Sequence, residues 1–251
     1  MFWRKFINRL SQGKINVLAY VLEIFLIIFS ILIAIQADRY QQGKRNQHKL
    51  DDYIQAMYLD LLEEQESNRN NLFDCEQDIR SINAGIRLSQ INQKDSIQIA
   101  LYNLAQVATR GVFRAFPPTT FDIMMSTGDI ALIKDLEVRG QLASTFSFRD
   151  AYTKRDLLEF DKETKRVTDE LGKYANLSCM YNTRDLTSCL TDREGFTKHF
   201  HNEVFPLARA ANLRAFHLKR AINYFDAAIE NLEEVYGLKR EDVIQETPAS
   251  E

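Results

Sequence analysis

Hydrophobic and polar positions along this chain change rhythm several times, and each rhythm predicts an element. Val17 to Ala37 reads VLAYVLEIFLIIFSILIAIQA, an apolar run interrupted only by Glu23, Ser30 and Gln36. At 1.5 Å per residue a helix of that length crosses a hydrocarbon core of ~30 Å. The run therefore predicts one N-terminal transmembrane helix. From about Gln41 to Asn92 the apolar residues Ile54, Tyr58, Leu61, Leu72, Cys75, Ile79, Ile82 and Ile86 recur at steps of three and four. That spacing predicts one or two long helices. Gln65 and Asn68 fill the missing steps, and such an interval is expected to be splayed or solvated, a register-setting polar layer being the rarer alternative. Gly43 offers a place to bend just beyond the span.

Asp95 or Ser96 can cap a helix through about Thr109. Gly111 and Phe116-Pro117-Pro118 then demand an extended connection. Thr119-Thr-Phe-Asp122 resembles a capping arrangement that opens a short helix carrying Phe121, Met124 and Met125. Ser126-Thr127-Gly128-Asp129 ends it, Gly128 suiting the left-handed position. Asp135 to about Tyr174 contains no proline and carries Val138, Leu142, Phe146, Leu157, Phe160, Val167 and Leu171 at helical spacing. Ala175 to Asp192 is expected to be a polar loop. A final helix is expected from about Pro206 to Tyr236, with Ala215, Leu218, Ile222, Phe225, Ile229, Leu232 and Tyr236 forming a narrow seam. Packing within the protein's own bundle is the favoured use of that seam.

Composition agrees. With 9 Gly and 4 Pro in 251 residues, the chain cannot supply the turns that a β-sandwich or barrel needs every ~8–12 residues. The expected fold class is all-α: one N-terminal transmembrane helix followed by a long-helix antiparallel bundle. The expected organisation is a basic amphipathic tail (1–14), a transmembrane anchor (15–37), a helical outer domain (38–240) and a polar tail (241–251).

Charge gives the anchor a direction. Arg4, Lys5, Arg9 and Lys14 stand before the span without an acid, interleaved with Phe2, Trp3, Phe6 and Leu10, as in a helix lying among lipid headgroups. Arg39, Lys44, Arg45 and Lys49 follow the span, so both flanks are basic. The short tail is the easier one to keep in the cytosol, which favours a cytosolic N-terminus and a C-terminal domain on the periplasmic face of a bacterial inner membrane. A cleaved signal peptide would have a shorter apolar stretch of ~7–15 residues and an A-x-A-like end, whereas this run ends Ile35-Gln36-Ala37. The rest of the chain is mildly acidic, which argues against nucleic acid as a partner.

Candidate chemistry is sparse. Glu23, with Ser30 and Gln36, is polar within the span, and an ionisable group there often marks a partner helix or proton path. The alternative is a carboxyl that sits protonated or reaches the headgroups. If Glu23 has a role, the expected partner besides the lipid bilayer is a second copy or another membrane protein. Cys179 and Cys189 bracket a polar loop, and in an oxidising compartment they would pair; two free thiols are the alternative. Cys75 lies on the apolar stripe and is expected to be a buried small hydrophobe. His199 and His201 point to different faces of a helix, His217 and His48 are isolated, and no cofactor or metal is expected. No spacing supports a nucleophilic triad. The breakers Gly111, Pro117, Pro118 and Gly128 cluster between two helical halves. That makes Pro117, Pro118, Ser126, Thr127, Gly128 and Asp129 the candidate surface site.

Two stretches resemble a known family. Tyr20-Val-Leu-Glu23-Ile through Ile33-Ala-Ile-Gln36, followed by Ala37-Asp-Arg-Tyr40, resembles the anchor of a group of uncharacterised single-pass bacterial membrane proteins. That group is frequent in Bacteroidetes and is catalogued as a domain of unknown function. Its anchor reads Glu-Ile, an apolar run, then Leu-Ile-Ala-Leu-Gln and an aromatic. Ser126-Thr-Gly-Asp-Ile-Ala-Leu-Ile133 with Leu136-Glu-Val-Arg139 resembles the group's second recurrent element, a Ser-Gly turn leading into a helix. Ser30 stands where the group tends to have Gly, and Asp38-Arg39 where Asn is common. The resemblance implies a single-pass inner-membrane protein with a helical outer domain, and it implies no activity.

The leading expectation is therefore a membrane-anchored interaction or scaffold module rather than an enzyme. A periplasmic ligand sensor is the alternative. Because no later segment approaches 18 apolar residues, a sensor would have to signal through a membrane partner.

Overall fold

The computed structural model describes residues 17–110 and 116–241. The basic segment 1–14, Gly111 and the tail beyond Glu241 lie outside the described residues. The chain divides into two compact units, one ending at Asp52 and one beginning at Tyr53. The described residues are all-α and contain no strand, their β feature being an isolated bridge between Ala175 and Leu190.

Helix α1 spans Val17–Ser89 and contributes to both units. In the first unit the large apolar side chains between Val21 and Ile35 are about half exposed. This is the one described helix long and apolar enough to cross a membrane. Gly43 lies inside α1, and the helix passes through it without a break.

In the second unit α1 is followed by α2 (Lys94–Arg110), α3 (Thr120–Thr127), α4 (Leu136–Phe148), α5 (Lys154–Leu171), α6 (Leu177–Asn182) and α7 (His201–Tyr236). Helices α4 and α5 both pack on α7, and α2 packs on α5. One core cluster gathers Ile82, Leu101, Leu104, Phe160, Phe196 and Phe200 among others. A smaller one gathers Cys75, Ala215 and Leu218. Burial pushes the Cys75 thiol up to about 11, which suits a buried hydrophobe rather than a nucleophile. Gly85 lets α1 approach α2 closely, since a Cβ there would stand 2.5 Å from Leu104 Cγ.

Several expectations change. The long helix expected from Asp135 to Tyr174 is interrupted by a π-helical turn at Arg149–Thr153. A π turn adds a residue to the helical repeat and shifts the phase of the next helical stretch, and Arg149 and Thr153 are both buried here. The last helix begins at His201, running on from a π-helical turn at Phe196–Phe200, so Pro206 lies inside it near its start. The polar loop after Ala175 holds α6 and a 3-10 turn at Leu186–Cys189.

The polar interval of α1 is buried, not solvated: Gln65 and Asn68 are 5% and 0% exposed. Side chains of α1 between Tyr58 and Cys75 meet α7. Tyr58 Oη donates to Glu233, Gln65 Nε2 donates to Asp226, and Arg214 donates to Asn71 Oδ1 at 3.3 Å. Cys75 Sγ donates to the Ala211 carbonyl at 3.3 Å. Burial and Glu233 together push the Tyr58 hydroxyl well above its ordinary pKa. The seam residues Ala215, Leu218, Phe225, Ile229 and Leu232 are buried.

Candidate functional site

The segment from Pro117 to Asp129 is built from local signals. Thr119 caps α3: its Oγ1 accepts from the Asp122 amide, while the Asp122 carboxylate accepts from the Thr119 amide at 2.9 Å. This reciprocal arrangement satisfies two amides that the first helical turn leaves without partners. The Thr120 amide donates to Asp60 Oδ2 of α1 at 2.6 Å. At the other end Gly128 takes φ +78°, a conformation that side-chain-bearing residues rarely adopt. Asp129 then accepts from Tyr53 Oη at 2.9 Å and from Thr127 Oγ1 at 2.7 Å. Ser126 Oγ donates back to the Ile123 carbonyl at 2.8 Å.

These contacts assign structural work to most of the predicted site. Thr127 and Asp129 tie the turn to the start of the second unit, and Gly128 makes the turn possible. Pro117 and Pro118 are exposed and line a cleft of about 150 Å³ with Asp60, Glu63, Glu64, Ser67 and Thr119. Asp122 also pairs with Arg149, at 3.3 Å. Burial alone would push the Asp122 carboxyl up. Hydrogen bonds from the Thr119 amide and hydroxyl, with the nearby Arg149, outweigh it and hold the carboxyl below its usual value.

A second constellation was not legible from spacing. Asp156, on α5 just after the π turn, is 3% exposed. One of its carboxylate oxygens accepts from Arg155 at 2.9 Å and the other from His217 Nδ1 of α7. An ionised carboxylate only accepts, so against it His217 Nδ1 carries the hydrogen. Three rings surround the imidazole, with centroids at 4.9 Å (Tyr152), 5.2 Å (Phe216) and 6.1 Å (Phe148). Arg220 lies over Phe148 at 5.5 Å and over Phe216 at 5.8 Å. A buried acid that fixes the tautomer of a histidine is an arrangement shared by catalytic and purely structural sites. The available sequence signal was the break in the apolar stripe between Phe146 and Leu157, which Arg149, Thr153 and Asp156 occupy.

The structure pairs Cys179 with Cys189 as a disulfide, with Cα atoms 5.6 Å apart. The hairpin they close is tied down at several points. The Asn176 amide donates to the Cys189 carbonyl at 2.9 Å. Gln98 of α2 donates to the Arg184 carbonyl at 2.7 Å. Lys94 pairs with Asp185 at 2.8 Å. A closed loop of this size stabilises by ~2–3 kcal/mol in the chain-entropy account. Replacing both cysteines by serine is expected to lower stability by about that amount in urea denaturation, with the helical signal retained in circular dichroism.

Hydrogen bonds from Lys94 and then Thr187 hold the Asp185 carboxyl down at about 2. A carboxyl whose folded-state value lies below its unfolded one adds stability above the unfolded value and loses it as pH falls through the folded one. Asp185 and Asp122 therefore share a sign. The chain is expected to lose stability as pH drops from about 4 towards 2, followed as the urea midpoint across that range. The Asp185 share should shrink in high salt because that pair is exposed. Asp185→Asn should flatten its part of the acid limb.

Glu23 and Ser30 lie in the apolar run of α1, together with Leu22, Leu26, Ile27 and Ile31 along one shallow groove. Ser30 Oγ donates to the Leu26 carbonyl at 2.7 Å, which satisfies that hydroxyl within its own helix. Gln36 is exposed further along the same run. A second groove lies beside the small cluster of Cys75, Ala215 and Leu218. Ile79, Ala215 and Phe216 line it together with Glu76, Arg80, Asn212 and Lys219.

Comparison with known protein families, curated proteins and solved structures yields no match. His199 is exposed and His201 half-buried at the start of α7. Among the described residues no group of three or more His, Cys, Asp or Glu side chains is placed to hold a metal.

Proposed function

We propose that this protein is a membrane-anchored interaction module. Its apolar run spans a bacterial inner membrane once, and its helical domain stands on the periplasmic side, where it holds a partner rather than turning over a substrate. The observation that carries this reading is the uncovered run from Tyr20 to Ile35. Its large side chains expose between 36% and 66% of their surface, which in water would be a far larger apolar patch than a soluble monomer carries. Lipid is the solvent that suits it.

Further observations support parts of the reading. The α1–α7 pairings run 58 with 233, 65 with 226, 71 with 214 and 75 with 211. One number rises as the other falls, and we infer from this an antiparallel bundle. A disulfide on the domain fits an oxidising compartment, hence a cytosolic N-terminus. Phe216, 53% exposed on the α7 face beside the groove, fits a surface that meets another protein.

Affinity purification of the full chain from native membranes after crosslinking tests the proposal. A stoichiometric protein band, or a second copy, is expected. A chain that washes out of the membrane in alkaline carbonate would sink the anchor. A solubilised chain that stays monomeric and captures nothing would sink the interaction role.

A further inference from the structure

We propose that the occupant of the Glu23 face is a second copy of this chain, packed in parallel along the apolar run. This deepens the membrane-anchored reading and rests on it. With about 100° of rotation per residue, Ile27, Ser30, Ala34, Ala37 and Gln41 all fall within about 40° of Glu23 on helix α1. Phe25, Ile28, Phe29, Leu32 and Ile35 fall on the other side, where the Phe25 and Phe29 rings lie parallel at 6.3 Å. Gln36 lies away from the Glu23 face, towards the end of the run. Glu23, Ser30, Ala34 and Ala37 thus share one line along the helix, flanked by Leu26, Ile27 and Ile31.

The chemistry of Glu23 selects the partner. An isolated carboxylate is expensive in hydrocarbon, and a neutral carboxylic acid still carries a donor and an acceptor that lipid tails cannot meet. Another copy related by a two-fold axis along the membrane normal brings the same group to the same depth. Each carboxyl can then donate its O–H to the other's carbonyl oxygen, which satisfies both groups at once. The same axis sets Ser30 against Ser30, Ala34 against Ala34 and Ala37 against Ala37. Small residues at those depths let two helix backbones come close, which is how helices associate when lipid gives no hydrophobic drive between them. Ser30 adds no unmet hydroxyl to the interface, because it donates to Leu26 within its own helix. A different membrane protein would have to place a matching group at this one depth, whereas a second copy does so by symmetry.

Single cysteines introduced into the full-length Cys75→Ala chain, in native membranes under mild oxidation, test this. Ile27→Cys, Ser30→Cys, Ala34→Cys and Ala37→Cys should give disulfide-linked dimers at least about tenfold more than Ile28→Cys, Leu32→Cys and Ile35→Cys. The periodic pattern is the readout. Glu23→Gln should keep the dimer, because an amide also donates and accepts, while Glu23→Leu should weaken it about tenfold. Equal crosslinking around the helix, or none on the Glu23 face, overturns self-association. Adducts from that face that contain a different protein also overturn it, yet leave the interaction reading standing. Release of the chain by alkaline carbonate removes the membrane anchor itself and so marks failure of the underlying reading.

Discussion

Replacing His217 with alanine is expected to cost about 3–5 kcal/mol. Asp156 is 3% exposed and has two partners, Arg155 and His217. Arg155 stands more than half in solvent, so its contribution is that of a surface pair, within about 1 kcal/mol. The histidine is the buried partner. Taking it away leaves a carboxylate in the interior with its inner hydrogen bond unmade, and removing one member of a buried pair typically costs ~3–5 kcal/mol. It also removes the ring that Phe148, Tyr152 and Phe216 enclose. For a domain of this size each kcal/mol moves the melting temperature by roughly 2–4 °C, so a drop on the order of 10 °C is expected. Arg155→Ala should move it by no more than a few degrees. A double-mutant cycle between Asp156→Asn and His217→Ala isolates the pair, and a His217→Ala chain with an unchanged urea midpoint would show that the pair does not hold α5 to α7.

Phe146→Ala is the second large loss, again about 3–5 kcal/mol by the usual cost of deleting a buried aromatic. Phe146 is 1% exposed. Its ring stacks on Phe121 at 4.8 Å, meets the edge of Phe225 at 6.1 Å and carries the Arg149 guanidinium over its face at 5.1 Å. One side chain therefore joins α3, α4 and α7 and backs the Arg149–Asp122 pair that steadies the α3 cap. Beyond global destabilisation, the variant should show faster amide exchange in residues 119–129 than in α5. Uniform acceleration throughout the domain would mean that Phe146 serves the core without specially holding that segment.

The two predictions differ in how far the sequence foretold them. Phe146 lies on a regular apolar stripe with Val138 and Leu142, and its burial follows from helical periodicity. The His217–Asp156 contact joins positions 61 residues apart, and nothing in local pattern links them. His217 alone reads as an isolated histidine, and Asp156 as one more acid on a charged helix. Asp156 falls at a stripe position, three and four residues from Thr153 and Phe160, but spacing carries no sign of the histidine that makes its burial tolerable. Gln65 and Asn68 teach the same lesson. As letters they look like a gap in the stripe, but Asp226 of α7 gives Gln65 a partner that makes its burial tolerable. The candidate site shows the converse: Thr119, Asp122, Gly128 and Asp129 act within a few residues of themselves, so their local geometry was legible, and only the ties to Asp60, Tyr53 and Arg149 were not.

The sequence by itself determined the all-α class, the apolar run at the N-terminus, the α3 cap and the left-handed glycine. Each of these depends on composition, on the period of hydrophobic residues or on contacts within one turn, and all three can be read along a single strand of letters. Tertiary structure alone decided which polar residues go inside. Burial of Arg149, Asp156, His217 and Gln65 is acceptable only because a complementary group arrives from a distant helix. Such pairing belongs to the packed fold and to no segment of it. The same reasoning applies to Glu23, whose proposed partner lies in another copy of the chain.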